Sequence, residues 1–249
     1  MDFKKYIDFK KGAIPLLFSV PHAGTLSWEN IPERSSGVLG IDKNANKLAL
    51  ELVDYITLCS KKKTSTQKSP SYVISKVRRN KIDLNRPESE AFDANSSLAR
   101  EIYRFYHDKI KEFISKNLNS FGRSLLLDIH GFEKDKRPQG FRDVELILGT
   151  NNFKSLFPER VPKREWNNNI RGKIIRKFLE SDVPIAPGHP RRREYVLTGG
   201  YIVQTYGAAK IPGSQAFQIE FSDKVRLYDR NLRIKVLKIL AELLAKELV

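Results

Sequence analysis

Apolar positions along this chain fall into two rhythms. Short runs with strand character occupy 14–21 (IPLLFSVP), 71–77 (SYVISKV), 124–130 (SLLLDIH), 144–149 (VELILG), 201–206 (YIVQTY) and 216–222 (AFQIEFS), and each predicts a buried strand. Between them the period lengthens. Over 43–57, Ala45, Leu48, Ala49, Leu52, Val53 and Ile56 share one helical face. Over 97–114, Leu98, Ile102, Phe105, Ile110 and Phe113 do the same behind the capping cluster Asn95-Ser96-Ser97. Residues 166–180 and 229–248 also read as helices, the second carrying Leu232, Val236, Leu240, Leu243 and Leu244 as an apolar stripe among lysines and glutamates. Strands alternating with helices predict an α/β fold, with a mixed, mainly parallel sheet flanked by helices. No internal repeat is visible. The one linker-like stretch, 60–70 (SKKKTSTQKSP), is short enough to be a surface loop, so a single domain over 1–249 is expected.

Composition changes this picture little. A chain of 249 residues is long enough for one large α/β core. It has no apolar run near the roughly 20 residues of a membrane span, and its first residues lack the apolar core of a signal peptide. The single cysteine, Cys59, excludes an intrachain disulfide framework and any multi-cysteine metal site. A cytoplasmic location is therefore expected. The formal net charge of +16 is the unusual quantity. It allows anionic partners through field effects, but the basic residues are spread out, clustering only at 61–63, 78–81 and 191–193. No nucleic-acid-binding signature accompanies them, so a generally basic solvated surface explains most of the charge.

Candidate chemistry gathers at the ends of the apolar runs, where ligands bind in open α/β sheets. His22 follows the first run, His130 ends SLLLDIH, and Glu220 lies in FQIEFS. Hydrolytic zinc takes three ligands from histidines and carboxylates and leaves one position open. A third ligand could come from Asp42, ahead of the first long helix, or from Glu29 in SWEN; the first could equally be a helix cap and the second a loop carboxylate. Asp128, two residues before His130, fits an orienting partner. The stretch 78–87 (RRNKIDLNRP) places Arg79, Asp83, Asn85 and Arg86 within eight residues. Arginine grips carboxylates and polarised carbonyls with a rigid fork, and Asn85 beside Arg86 suits an anionic substrate group. Asp83 reads as a local partner for one arginine. Gly199-Gly200 either lets backbone approach a substrate or makes a tight turn. His107 reads as a packing residue within its helix, and His189 as a loop histidine.

The ordered set SVPHAG, RNKIDLNRP, LLLDIHGF, TGGYIVQTYG and FQIEFS, spanning about residues 14 to 222, resembles the N-formylglutamate amidohydrolase family, itself distantly similar to zinc carboxypeptidases and aspartoacylases. The resemblance implies a zinc-carboxypeptidase-like (phosphorylase/hydrolase-like) fold and one Zn2+ per chain. It implies His22, His130 and Asp42 as metal ligands, Glu220 as general base and Arg79 at the carbonyl oxygen. Asn85 and Arg86 match the pair associated with the substrate's carboxylate. The carboxypeptidase pattern H-x-x-E is broken, because Thr25 stands three residues after His22. The expected activity is zinc-dependent hydrolysis of the amide of a small anionic N-acyl amino acid. A carboxypeptidase or cell-wall-type amidase acting on a peptide is the alternative enzyme. A basic nucleic-acid-binding protein with a vestigial metal site is the alternative of another class. The Arg191–Arg193 cluster lies outside the recognisable motifs, and its charge favours either a dianionic or larger acidic substrate or simple solubility.

Overall fold

Near-continuous buried runs decide the centre of the molecule, as expected of parallel strands covered on both faces. In a computed structural model that describes residues 2–137, 141–195 and 197–249, 124–132 form β4 (Ser124–Phe132) and 214–222 form β7 (Ser214–Ser222). The two pair in parallel along their whole length. β2 (Leu16–Val20) flanks β4, and β3 (Ser71–Ser75) flanks β2, both in parallel. The edge strand β1 (Ile7–Lys10) runs antiparallel to β3. On the other side β5 (Leu146–Gly149) is antiparallel to β7 and carries the two-residue β6 (Ile185–Ala186). The sheet order is β1-β3-β2-β4-β7-β5-β6.

Helices cover both faces. α1 (Ala45–Thr64), α4 (Ile170–Glu180) and α6 (Arg230–Leu248) bury their apolar stripes against Phe18, Leu127, Ile129, Phe217 and Ile219. α3 (Ser97–Phe121) and α5 (Tyr201–Tyr206) pack over Leu17, Val73, Leu126 and Ala216, and a short α2 (Glu88–Ala91) lies beside them. A mixed, mainly parallel sheet between helices matches the expected α/β class. Among the described residues no helix is long and apolar enough to cross a membrane.

Residues 201–206 correct the strand expected there: YIVQTY is α5. Ile202, Val203 and Tyr206 are buried while Gln204 is exposed, so one face of a helical turn meets the core. An apolar run of six is too short for periodicity to separate the two conformations. The supposed linker at 60–70 is also shorter than expected, because α1 continues to Thr64. Ser65 ends it with a left-handed backbone, its N–H bonded to the Lys61 carbonyl. The 166–180 helix begins only at Ile170, where the Asn169 side chain caps the Gly172 N–H. Two strands were not anticipated, β1 in a lysine-rich edge segment and the very short β6.

Candidate metal centre

The sheet register assembles the site. His130 lies opposite Glu220, and Asp128 opposite Gln218, across the β4–β7 pair; Ser19 of β2 lies opposite Asp128. Side chains at alternate positions share a face, so Asp128, His130, Gln218 and Glu220 project together at the carboxyl end of the sheet. His22 follows β2 by two residues. Asp42 is delivered by the segment before α1, its N–H bonded to the His22 carbonyl at 2.9 Å. Arg226, almost wholly buried, fastens this region by donating to the carbonyls of Phe132, Phe221 and Lys43.

Two histidine–carboxylate pairs define the chemistry. His22 Nε2 lies 2.7 Å from Asp83 Oδ1, and His130 Nε2 lies 2.7 Å from Asp128 Oδ2. Ionised carboxylates only accept, so each imidazole donates its Nε2 proton outward. Both Nδ1 atoms then face inward, 3.1 Å apart, with Asp42 Oδ2 at 3.2 Å from one and 3.7 Å from the other. Three lone-pair donors converging in a buried space repel one another unless a proton or a cation lies among them. His22, Asp42 and His130 are accordingly the group among the described residues that could hold a metal ion, and carboxylate-backed imidazoles are the usual surroundings of such an ion. Two nitrogens and a carboxylate oxygen fit zinc. Glu29 stays outside this group and is exposed.

Electrostatics follow from the same contacts. Burial works against a charged His130, but Asp128 and Asp42 outweigh it and hold its pKa well above the ordinary value. Burial would raise Asp42 and Asp83; the His130 and His22 imidazoles beside the first, and His22 and Arg79 beside the second, hold both below the usual carboxylate range. Glu220 is different: burial pushes its pKa up, opposed by His130 and reinforced by Asp42. Gln218 Nε2 donates to Glu220 Oε1 at 2.6 Å.

A cavity of about 600 Å³ opens over the cluster. Its wall contains His22, Asp42, His130 and Glu220 together with Arg79, Asn85, Arg86, Gly199 and Gly200. Asp83 Oδ2 accepts from Arg79 Nε at 3.1 Å, with Arg34 at 3.5 Å and Arg86 at 3.9 Å. One carboxylate thus faces three guanidinium groups, leaving net positive charge on that side of the cavity. Asn85 Oδ1 accepts the Ile202 N–H at 2.8 Å, which fixes the amide so that Nδ2 donates toward the site. A Cβ on Gly200 would collide with that Asn85 amide, and Gly199 has φ +110°, a conformation that excludes most other residues.

No protein-family model and no curated protein sequence matches this chain. Solved structures do. The crystal structure of N-formylglutamate amidohydrolase from Ralstonia eutropha JMP134 aligns over 97% of both chains with a TM-score of 0.65 at 15% identity. This chain shares its fold with that N-formylglutamate amidohydrolase. The crystal structure of gene product Atu2144 from Agrobacterium tumefaciens aligns over 97% of this chain and 94% of its own, with a TM-score of 0.57 at 16% identity. At these identities the likeness is one of fold, and chemistry must be argued from the side chains.

Within that fold His22, Asp42, Arg79, Asn85, Arg86, His130, Gly199, Gly200 and Glu220 line one cavity. Sequence reasoning missed two others, Gln218 and Arg34, and one of the two roles of Asp83, whose pairing with an arginine it did expect. Asp83 holds His22 as well as Arg79. Gln218 bridges Glu220 and the Gly200 N–H, the latter at 2.7 Å; it stands two residues before Glu220, and strand alternation alone would have placed it on the same face. Arg34 carries no local signal. His107 is a buried packing residue whose Nδ1 lies 2.8 Å from the Tyr206 hydroxyl. His189 is exposed and accepts the Arg191 N–H.

Proposed function

We propose that the protein is a zinc-dependent amidohydrolase acting on a small N-acyl amino acid, with His22, Asp42 and His130 as metal ligands. The observation that carries this reading is the convergence of two inward-facing Nδ1 atoms and a carboxylate oxygen beside a buried glutamate of raised pKa. Zinc, when bound there, supplies Lewis acidity at neutral pH. Arg86, its side chain 47% exposed at the mouth, and Asn85 bind the substrate's carboxylate and so set the amide over the cluster. Arg79, pinned by Asp83, presents its guanidinium to the carbonyl oxygen as negative charge develops. Glu220 takes the proton of the attacking water and delivers it to the departing amine. Gln218 holds one oxygen of Glu220, leaving the other for this transfer.

Elemental analysis of the purified protein beside His130→Ala tests the metal centre. The expected result is about one zinc per chain, lost in the variant. Hydrolysis of N-formylglutamate by the zinc-loaded protein, absent after chelation, is the expected companion result. A chain that takes up no metal at neutral pH with zinc supplied would sink the reading.

A further inference from the structure

Beyond the catalytic cavity lies a second recess of about 330 Å³, built from β5, β6 and the loop bearing Arg191–Arg193. We propose that it is the acyl subsite, and that the substrate's acyl group is apolar, much larger than formyl, and ends in a carboxylate. This rests on the amidohydrolase reading above.

Sheet order supplies the direction. Arg79, Asn85 and Arg86 follow β3, the histidines follow or end β2 and β4, and Glu220 lies on β7. Next in the sheet comes antiparallel β5, whose first residues lie beside Glu220, and the recess is lined by residues that precede or belong to β5 and that belong to or follow β6. A substrate whose carboxylate meets Arg86 and whose amide lies over the histidines therefore points its acyl group at the recess. The register sets the two cavities side by side: Ile147 of β5 lies opposite Glu220 and on its face of the sheet. Leu197 lines both cavities.

Lining chemistry supplies the ligand class. The floor is apolar, formed by Val144, Ile147, Leu148, Ala186, Pro187 and Leu197. A cavity of about 150 Å³ already accepts benzene, so the recess has room for a chain or ring that formyl would leave unfilled. Its rim carries Arg137, Arg142, Arg192 and Arg193. Arg137 Nη2 donates to the Arg142 carbonyl and lies 3.9 Å from the exposed Asp143, while its buried Nε has no hydrogen-bond partner among the described residues. Arg142 rests on Gly188, where a Cβ would collide with it. Glu194, the carboxylate among the lining residues, is already committed: it accepts from Thr150 and Asn152 N–H groups and from Arg171 Nε at 2.9 Å.

The arginine cluster is also held in place. Arg171, fully buried, donates to the carbonyls of Pro190 and Arg192 at 2.9 and 2.8 Å. Burying a guanidinium–carboxylate pair is costly unless its hydrogen bonds are completed, and here they are completed by the backbone of this loop. A basic segment serving only solubility needs no such clamp.

The test is calorimetric binding of three glutamate amides, N-formyl, N-hexanoyl and N-adipoyl, to zinc-loaded Glu220→Gln, with wild-type turnover measured in parallel. Hexanoyl should bind about tenfold more tightly than formyl through apolar burial. Adipoyl should bind about tenfold more tightly again, a gain that salt reduces and that Arg192→Gln/Arg193→Gln removes. The ligand series on the intact loop carries the test even where the double variant is unstable. Equal affinities for the three amides overturn the subsite, and wild-type hydrolysis of formylglutamate would then leave the amidohydrolase reading standing. The expected affinity order without turnover of any amide supports the subsite and overturns the reaction. Failure of both overturns both.

Discussion

His22 and His130 each carry a carboxylate on Nε2, and that arrangement turns their Nδ1 atoms inward, toward the proposed metal position. Such outer partners typically contribute about 10–100-fold to metal affinity. Asp83→Asn is therefore expected to weaken zinc binding by that order in chelator competition, with the fold intact by circular dichroism. Glu220→Gln should retain zinc yet lose about 10²–10⁴-fold in kcat. Because burial raises Glu220, its protonated, inactive form persists to higher pH than for an ordinary glutamate. Wild-type kcat/KM should accordingly rise with pH through that raised value, and the variant should lack this limb. His107 offers a stability counterpart. Burial, reinforced by Lys111, pushes its pKa down to about 4 from 6.5. Between these values the unfolded chain binds more protons than the folded one, so stability falls as pH drops from about 6.5 to about 4 and levels off below. His107→Gln should remove up to roughly 3 kcal/mol of that fall, at 1.36 kcal/mol per unit, as read from urea unfolding at the two pH values. At this scale His22, His130 and Glu220 were legible because strand ends expose their residue types. The second role of Asp83 was not, since nothing in RNKIDLNRP says that His22 will lie across from it.

At the scale of elements, α5 shows where local pattern fails. Its six residues are rich in strand formers, yet they begin at the Gly199-Gly200 turn and lay Ile202 and Val203 on the α3 side of the sheet. Their helical geometry turns the Ile202 N–H toward Asn85 and so orients the amide that faces the cavity. Gly200→Ala should displace Asn85 and raise KM for an N-acyl amino acid by about tenfold or more, with a smaller effect on kcat; an unchanged KM would remove Asn85 from substrate binding. The long helices were easier. α3 and α6 repeat their apolar stripe over enough turns that no other period fits, and Ser96 and Asp229 cap them as their residue types suggest. β1 escaped notice because an edge strand needs only one buried face, and Ile7 with Phe9 is too brief an alternation to stand out among lysines.

Across the whole molecule, the +16 charge has two structural destinations. Most of it is spread over the surface. Part is concentrated around the two cavities, where Arg34, Arg79 and Arg86 surround one carboxylate and the Arg137, Arg142, Arg192 and Arg193 group rims the recess. A field of this sign attracts anionic substrates over roughly a Debye length, so kcat/KM for a carboxylate-bearing amide should fall with rising salt. A neutral amide of the same shape should show little change in stopped-flow or steady-state assays. The sequence by itself determined the α/β class, the main helices and the residue types at the strand ends, because periodicity and strand-end placement are local properties of the chain. Only the tertiary structure decided that Asp42 rather than Glu29 joins the histidines, that Asp83 and Gln218 serve the site, and that Arg191–Arg193 is clamped beside a recess. Each of those outcomes depends on strand order and register, which bring together residues far apart in the chain through contacts that no single segment encodes.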